Sequence, residues 1–104
     1  MKESAIQKKI IAYLNFKGCY SIKTITTNRS GSPDIICCYK GLFVALEVKA
    51  EKGIVSKLQE YHLEQIKKSG GVAAVVRSVD EVQEVLKIPH EKIKEMKNKK
   101  GTPE

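Results

Sequence analysis

Apolar residues recur at Ile6, Ile10 and Leu14, with lysines and Gln7 between them. That spacing predicts a helix from Glu3 or Ser4 to about Lys17 with one buried stripe. Gly18 follows as a stop signal, since glycine tolerates the left-handed backbone that ends many helices. The period then changes. Tyr20 to Thr27 is rich in β-branched residues and predicts a first strand, and the polar run Asn28 to Pro33 predicts a loop. Asp34 to Tyr39 reads as a second strand. Its Ile35-Ile36-Cys37-Cys38 run does not alternate, so both of its faces are expected to be covered. Lys40-Gly41 has the form of a two-residue hairpin turn. Leu42 to Ala50 is the third strand, closed by Glu51-Lys52-Gly53.

Ser56 with Gln59 three residues on is a capping-box pattern, and it opens a second predicted helix, Ser56 to Ser69, that ends at Gly70-Gly71. Val72 to Val76 is a short, wholly apolar fourth strand. Ser78 with Glu81 repeats the capping pattern and opens a third helix with Val79, Val82 and Leu86 on one face. The order is α-β-β-β-α-β-α. Short connections make the first three strands an antiparallel meander, and the helical crossover brings the fourth in parallel. The expected fold class is α/β, with a mixed central sheet flanked by helices.

With 104 residues the chain suits one domain. Beyond Pro89 lysine and glutamate dominate, so the expected division is a folded domain over 1–89 and a basic, flexible tail over 90–104. Apolar runs are too short for a membrane span and no apolar signal region follows the N-terminus; the expected location is cytoplasmic. Cys19, Cys37 and Cys38 have no metal-ligand spacing and are read as small buried hydrophobes. His62 is read as a satisfied, partly buried side chain and His90 as solvated. The formal net charge of +7 is large for this length, and it favours a polyanionic partner through counterion release.

The predicted hairpin carries the chemistry. If Lys40 and Gly41 form the turn, Tyr39 faces Leu42, and counting back along both arms sets Asp34 opposite Glu47. Directly opposed side chains lie about 4.5–5.5 Å apart at Cβ, and like charges there are destabilising. A divalent cation between the carboxylates removes the conflict, because hard oxygen ligands suit Mg²⁺ or Mn²⁺. Alternation puts Phe43, Ala45, Glu47 and Lys49 on one strand face, so the Lys49 ammonium stands on the metal side, where it can orient water or stabilise charge on a phosphate. Pro33 withholds a ladder donor at the strand entrance.

Ser30-Gly31-Ser32-Pro33-Asp34, the twelve-residue gap and Glu47-Val48-Lys49 resemble the PD-(D/E)XK nuclease superfamily. The continuation through Ala50-Glu51-Lys52-Gly53 and Ser56-Lys57-Leu58-Gln59 resembles the VRR-NUC family within it. The likeness runs from about Glu3 to Val82, and stand-alone domains of this size resemble bacteriophage-encoded members. It implies a restriction-endonuclease-like α-β-β-β-α-β core and a phosphodiester hydrolase using Mg²⁺ or Mn²⁺. Asp34, Glu47 and the Val48 carbonyl would be metal ligands, with Lys49 assisting the water nucleophile. Relatives that resolve Holliday junctions place a glutamate of the first helix near the metal, and Glu3 matches that position. Branched DNA as substrate and a homodimer with two active sites follow from the same resemblance.

Two positions keep two readings. Glu3 lies on the Ile6-Ile10-Leu14 side of its helix and can reach the metal. Alternatively, Ser4 with Gln7 forms a capping box, leaving Glu3 outside the helix as a carboxylate that complements the dipole. Gln59 serves as a helix cap, as an edge of the site, or as both. Arg29, Ser30, Ser32, Lys52 and Lys57 are candidate DNA contacts, and the Lys92 to Lys100 tail is a further nonspecific one. Against the structure-selective endonuclease stand a noncatalytic nucleic-acid-binding module and a nonspecific or restriction-like nuclease.

Overall fold

The stripe of Ile6, Ile10 and Leu14 builds helix α1, Glu3–Phe16, with those three side chains as its buried residues. In the computed structural model, which describes residues 1–87, Lys2 is the N-cap of this helix and contributes no side-chain capping bond. Glu3 is therefore the first helical residue. The alternative start, with a Ser4–Gln7 box and Glu3 outside, does not form, because Lys2 O already accepts the N–H groups of Ala5 and Ile6 at 3.1 Å each. Gly18 ends the segment with φ +81°.

Four strands follow the meander-and-crossover order: β1 Tyr20–Lys23, β2 Ile35–Tyr39, β3 Leu42–Val48 and, after helix α2 (Lys57–Lys68), β4 Val72–Val76. The sheet runs β1-β2-β3-β4. Its first two pairings are antiparallel and β3–β4 is parallel. A helix beginning at residue 79 continues to the last described residue, 87, and is called α3. Among the described residues no helix is long and apolar enough to cross a membrane. The expected tail over 90–104, with His90 and Lys92 to Lys100, lies outside the described residues.

The hairpin turn forms as expected. Lys40 has φ 52° and Gly41 φ 83°, the pair of positive values that matches a tight turn to the strand twist. Tyr39 pairs with Leu42, and the ladder continues to Ile35 opposite Leu46. The first strand is shorter than predicted. Thr24 N–H donates to Asp34 O at 2.8 Å, but beyond it local hydroxyl bonds replace the ladder: Thr27 Oγ1 and Ser32 Oγ each donate to Arg29 O at 2.7 Å. Threonine and serine side chains compete with strand pairing in this way.

Two layers of helix cover the sheet unequally. The α1 and α3 side forms the main core, where Ile6, Ile10 and Leu14 meet Ile35, Cys37, Val44, Leu46 and Val48, joined by Val82 and Leu86. On the other face Leu63 of α2 packs with Ala45 and Ala73. α2 spans the β3–β4 half only. Cys38, on that face of β2, is consequently exposed, which corrects the expectation that both faces of β2 and all three cysteines are buried. Cys19 and Cys37 are buried. Burial pushes the Cys37 thiol up to about 12.

Candidate active site

The hairpin register fixes the site. Ile35 opposes Leu46 as the last pair of the ladder, so Asp34 and Glu47 are the residues that follow on the two strands at this end. The Asp34 carboxylate turns across the strand end, where its Oδ2 accepts the Val48 N–H at 2.8 Å. Glu47 shares the α2-facing side of β3 with Ala45. It is the one charged residue among the buried residues described, with 2% of its surface exposed.

Burial of a carboxylate is costly without partners, and three neighbours address Glu47. Gln59 Nε2–H donates to Oε2 at 2.8 Å, and the Lys49 ammonium lies 3.5 Å from the same oxygen. The Asp34 carboxyl is the third, and it works in the opposite sense. Desolvation first, and then the negative charge of Asp34, raise the Glu47 carboxyl to about 7 against the lowering effect of Lys49. Two acidic groups thus neighbour each other at this strand end, one of them almost fully buried. That donor set fits a hard divalent cation, whose charge would relieve the repulsion between the two carboxyls.

Gln59 unites its two readings. Its Nε2 serves Glu47, while its Oε1 accepts the Ser56 N–H at 2.9 Å and its own N–H donates to Ser56 Oγ at 3.1 Å. The capping box of α2 is therefore complete and also aims the amide at the site. The box predicted at α3 forms by half. Glu81 N–H donates to Ser78 Oγ at 3.2 Å, but the Glu81 carboxylate accepts from Arg77 N–H at 2.8 Å.

Glu3 approaches from the α1 layer. A Cβ placed on Gly53 would meet Glu3 Oε2 at 3.2 Å and Lys49 Cβ at 3.3 Å, so the carboxylate lies against the turn that follows Lys49. Among the described residues no three His, Cys, Asp or Glu side chains form a cluster able to hold a metal ion. The structure brings Asp34, Glu47, Lys49 and Gln59 together and leaves Glu3 one loop away. Val48 supplies a backbone position between Glu47 and Lys49.

The candidate DNA contacts occupy segments around this strand end. Arg29 and Ser30 are exposed on the loop before Asp34, Lys52 is exposed on the turn after Lys49, and Lys57 is exposed at the start of α2. Ser32 is half-buried, with its hydroxyl held by Arg29 O. A hollow of about 350 Å³ lies within the Thr24 to Ser32 loop and reaches Asp34. The larger hollow, about 660 Å³, is lined by Met1, Ile6, Lys9 and Arg77 and contains none of the site carboxylates.

Two residues that sequence reasoning did not place at the site support it. His62 Nε2 is 2.8 Å from Ser30 O, so the satisfied histidine of α2 holds the loop that carries Asp34. Arg77 donates to carbonyls of the turn after Lys49. Neither has a local signal, since each partner is distant in the chain.

The VRR-NUC domain profile matches residues 2–80. The chain belongs to the VRR-NUC domain family. A solved VRR-NUC domain is similar at 27% identity with a TM-score of 0.72, covering 84% of this chain and 96% of that one. A second VRR-NUC domain protein shares the fold at 18% identity and a TM-score of 0.68, covering 84% of this chain and 86% of that one. Archaeoglobus fulgidus Hjc, a Holliday junction resolvase from an archaeal hyperthermophile, shares it at 21% identity and a TM-score of 0.58, covering 72% of this chain and 67% of that one. Among curated proteins none matches by sequence. VRR-NUC membership makes the chain a nuclease, and the restriction-endonuclease-like core expected from the motif is the fold observed.

Proposed function

We propose that this VRR-NUC nuclease is a divalent-metal-dependent endonuclease that cuts branched DNA, with Asp34, Glu47 and Lys49 as its catalytic residues. The observation that carries the reading is the buried Glu47 carboxyl, bonded by Gln59 and 3.5 Å from the Lys49 ammonium, at the strand end where Asp34 binds the Val48 N–H. Asp34, Glu47 and the Val48 carbonyl would hold Mg²⁺ or Mn²⁺. Such an ion supplies positive charge against the scissile phosphate. Lys49 holds and polarises the attacking water and offsets charge developing on the phosphate oxygens. Gln59 fixes the Glu47 carboxylate in one orientation, and Glu3, from the start of α1, adds a carboxylate at the rim.

The surplus of Lys and Arg, net +7, suits recognition of the phosphate backbone, which positions a duplex without reading its sequence. Structural likeness to Hjc favours a Holliday junction or similar branch as substrate. Paired incisions at a junction call for a two-fold homodimer.

The decisive experiment incubates wild type and Glu47→Ala with junction, flap, single-stranded and linear DNA, each with Mg²⁺, Mn²⁺ or EDTA. The expected result is cleavage of branched DNA by wild type with metal and none by the variant. Equal cleavage by Glu47→Ala would overturn the catalytic assignment, and indifferent cleavage of every DNA would overturn selectivity. Sedimentation with and without a junction tests the dimer.

A further inference from the structure

We infer that Arg77 is a positioning residue of the active site, acting on Lys49 through the turn that follows it; the inference rests on the catalytic role proposed for Lys49. Arg77 is the first residue after β4. Its Nη1 donates to three carbonyl oxygens of one turn: Ala50 at 2.5 Å, Gly53 at 3.0 Å and Glu51 at 3.3 Å. An NH₂ group has two hydrogens, so three acceptors share them. The turn itself closes with Gly53 N–H donating to Ala50 O at 2.9 Å. A cationic nitrogen at the centre of converging carbonyls makes charge-assisted bonds, roughly twice as strong as neutral ones.

The consequence falls on Lys49. Its own N–H donates to Val76 O at 3.1 Å, so consecutive residues, 76 and 77, hold the backbone on both sides of the Lys49 α-carbon. The turn also packs on the root of the lysine side chain, since a Cβ at Gly53 would lie 3.3 Å from Lys49 Cβ. Arg77 is fixed in its turn, because its N–H donates to the Glu81 carboxylate at 2.8 Å. Lys52 rides the same turn, and the two consequences of losing the Arg77 clamp are separable: misplaced Lys49 lowers kcat, whereas misplaced Lys52 raises KM.

The test uses full-length Arg77→Met and Arg77→Lys, with the core variant Val82→Ala as a control for lost stability. Steady-state cleavage of a junction is measured with Mn²⁺ over a range of DNA concentrations, together with DNA affinity and amide exchange over residues 49–54. The expected result for Arg77→Met is a kcat roughly 10- to 100-fold lower, KM within about threefold, and faster exchange over that turn. Arg77→Lys, with three donors on one nitrogen, recovers part of the loss. A normal kcat, a loss confined to KM, or a kcat loss matched by Val82→Ala overturns the inference. If wild type cleaves no DNA, the catalytic reading fails instead. The exchange measurement then still decides whether Arg77 holds the turn.

Discussion

The side-chain amide of Gln59 donates to the buried Glu47 carboxylate at 2.8 Å while its oxygen caps Ser56 N–H at 2.9 Å. One residue therefore starts a helix and orients a candidate metal ligand. Gln59→Glu separates the two tasks. A glutamate at this position still closes the capping box, so the start of α2 is kept, but the donor to Glu47 is replaced by a third negative charge. A hydrogen bond to a charged group is worth about 1.5–3 kcal/mol. The expected outcome is cleavage roughly 10- to 100-fold slower with α2 intact by circular dichroism. Wild-type rates in Gln59→Glu would show that the amide does no more than cap.

The loop that delivers Asp34 is seated on α2 through Gly31 and His62. Gly31 has φ +82°, and a Cβ there would lie 2.8 Å from Leu58 Cγ and 3.3 Å from His62 Cδ2. Gly31→Ala therefore meets both backbone strain, about 1–2 kcal/mol, and a steric clash. Melting should fall by several degrees for a domain of this size, with cleavage reduced as the loop shifts. The double variant Gly31→Ala/Leu58→Ala should remove the clash and retain the strain, recovering only part of the melting temperature. Full recovery would assign the whole effect to packing.

Much of this arrangement is legible in the sequence because its determinants are local. Lys40-Gly41 sets the hairpin, and a two-residue turn fixes every later pairing, so Asp34 falls beside Glu47 by counting. Ser56 and Gln59 are three residues apart, and their box can be read directly. The exposure of Cys38 is not local. It depends on α2 lying over β3 and β4 and stopping short of β2, which no pattern within Ile35 to Tyr39 expresses. The same holds for His62 bonding Ser30 O and Arg77 bonding the turn after Lys49, contacts made only when the sheet and α2 assemble. Glu3 shows the limit in the other direction. Its place at the helix start follows from Lys2 acting as the cap, whereas the Ser4–Gln7 pattern pointed to a later start.

Lys49 faces Glu47 across 3.5 Å with 12% of its side chain exposed. Lys49→Met keeps the length of the stem and removes the charge. Loss of a preorganised group that stabilises transition-state charge costs about 100- to 1,000-fold. Single-turnover rates with saturating enzyme should fall by that order while junction affinity stays within a few-fold, since one buried ammonium contributes little to backbone contacts. A drop in affinity large enough to explain the rate would make Lys49 a binding residue.

The proposed metal and pH would act on the same carboxylate pair. The Glu47 carboxyl is raised to about 7 from an ordinary 4.5 by burial and by the charge of Asp34. A carboxyl raised in the folded state favours folding when protonated. Its contribution is complete below about pH 4.5 and is lost as pH rises through about 7. Metal-free protein should therefore lose a few degrees of melting temperature between about pH 5 and 8 through this group. Glu47→Gln removes the titration, so in EDTA its melting temperature should vary less with pH across that window than that of wild type. On the proposed reading Mn²⁺ binds the ionised pair, and it should then raise the wild-type melting temperature most at about pH 8, with little effect on Glu47→Gln. Thermal melts of both proteins across that window, with EDTA and with Mn²⁺, provide the comparison. Parallel pH curves for the two proteins in EDTA would mean that Glu47 is ionised throughout, and the cation would then bind without displacing a proton.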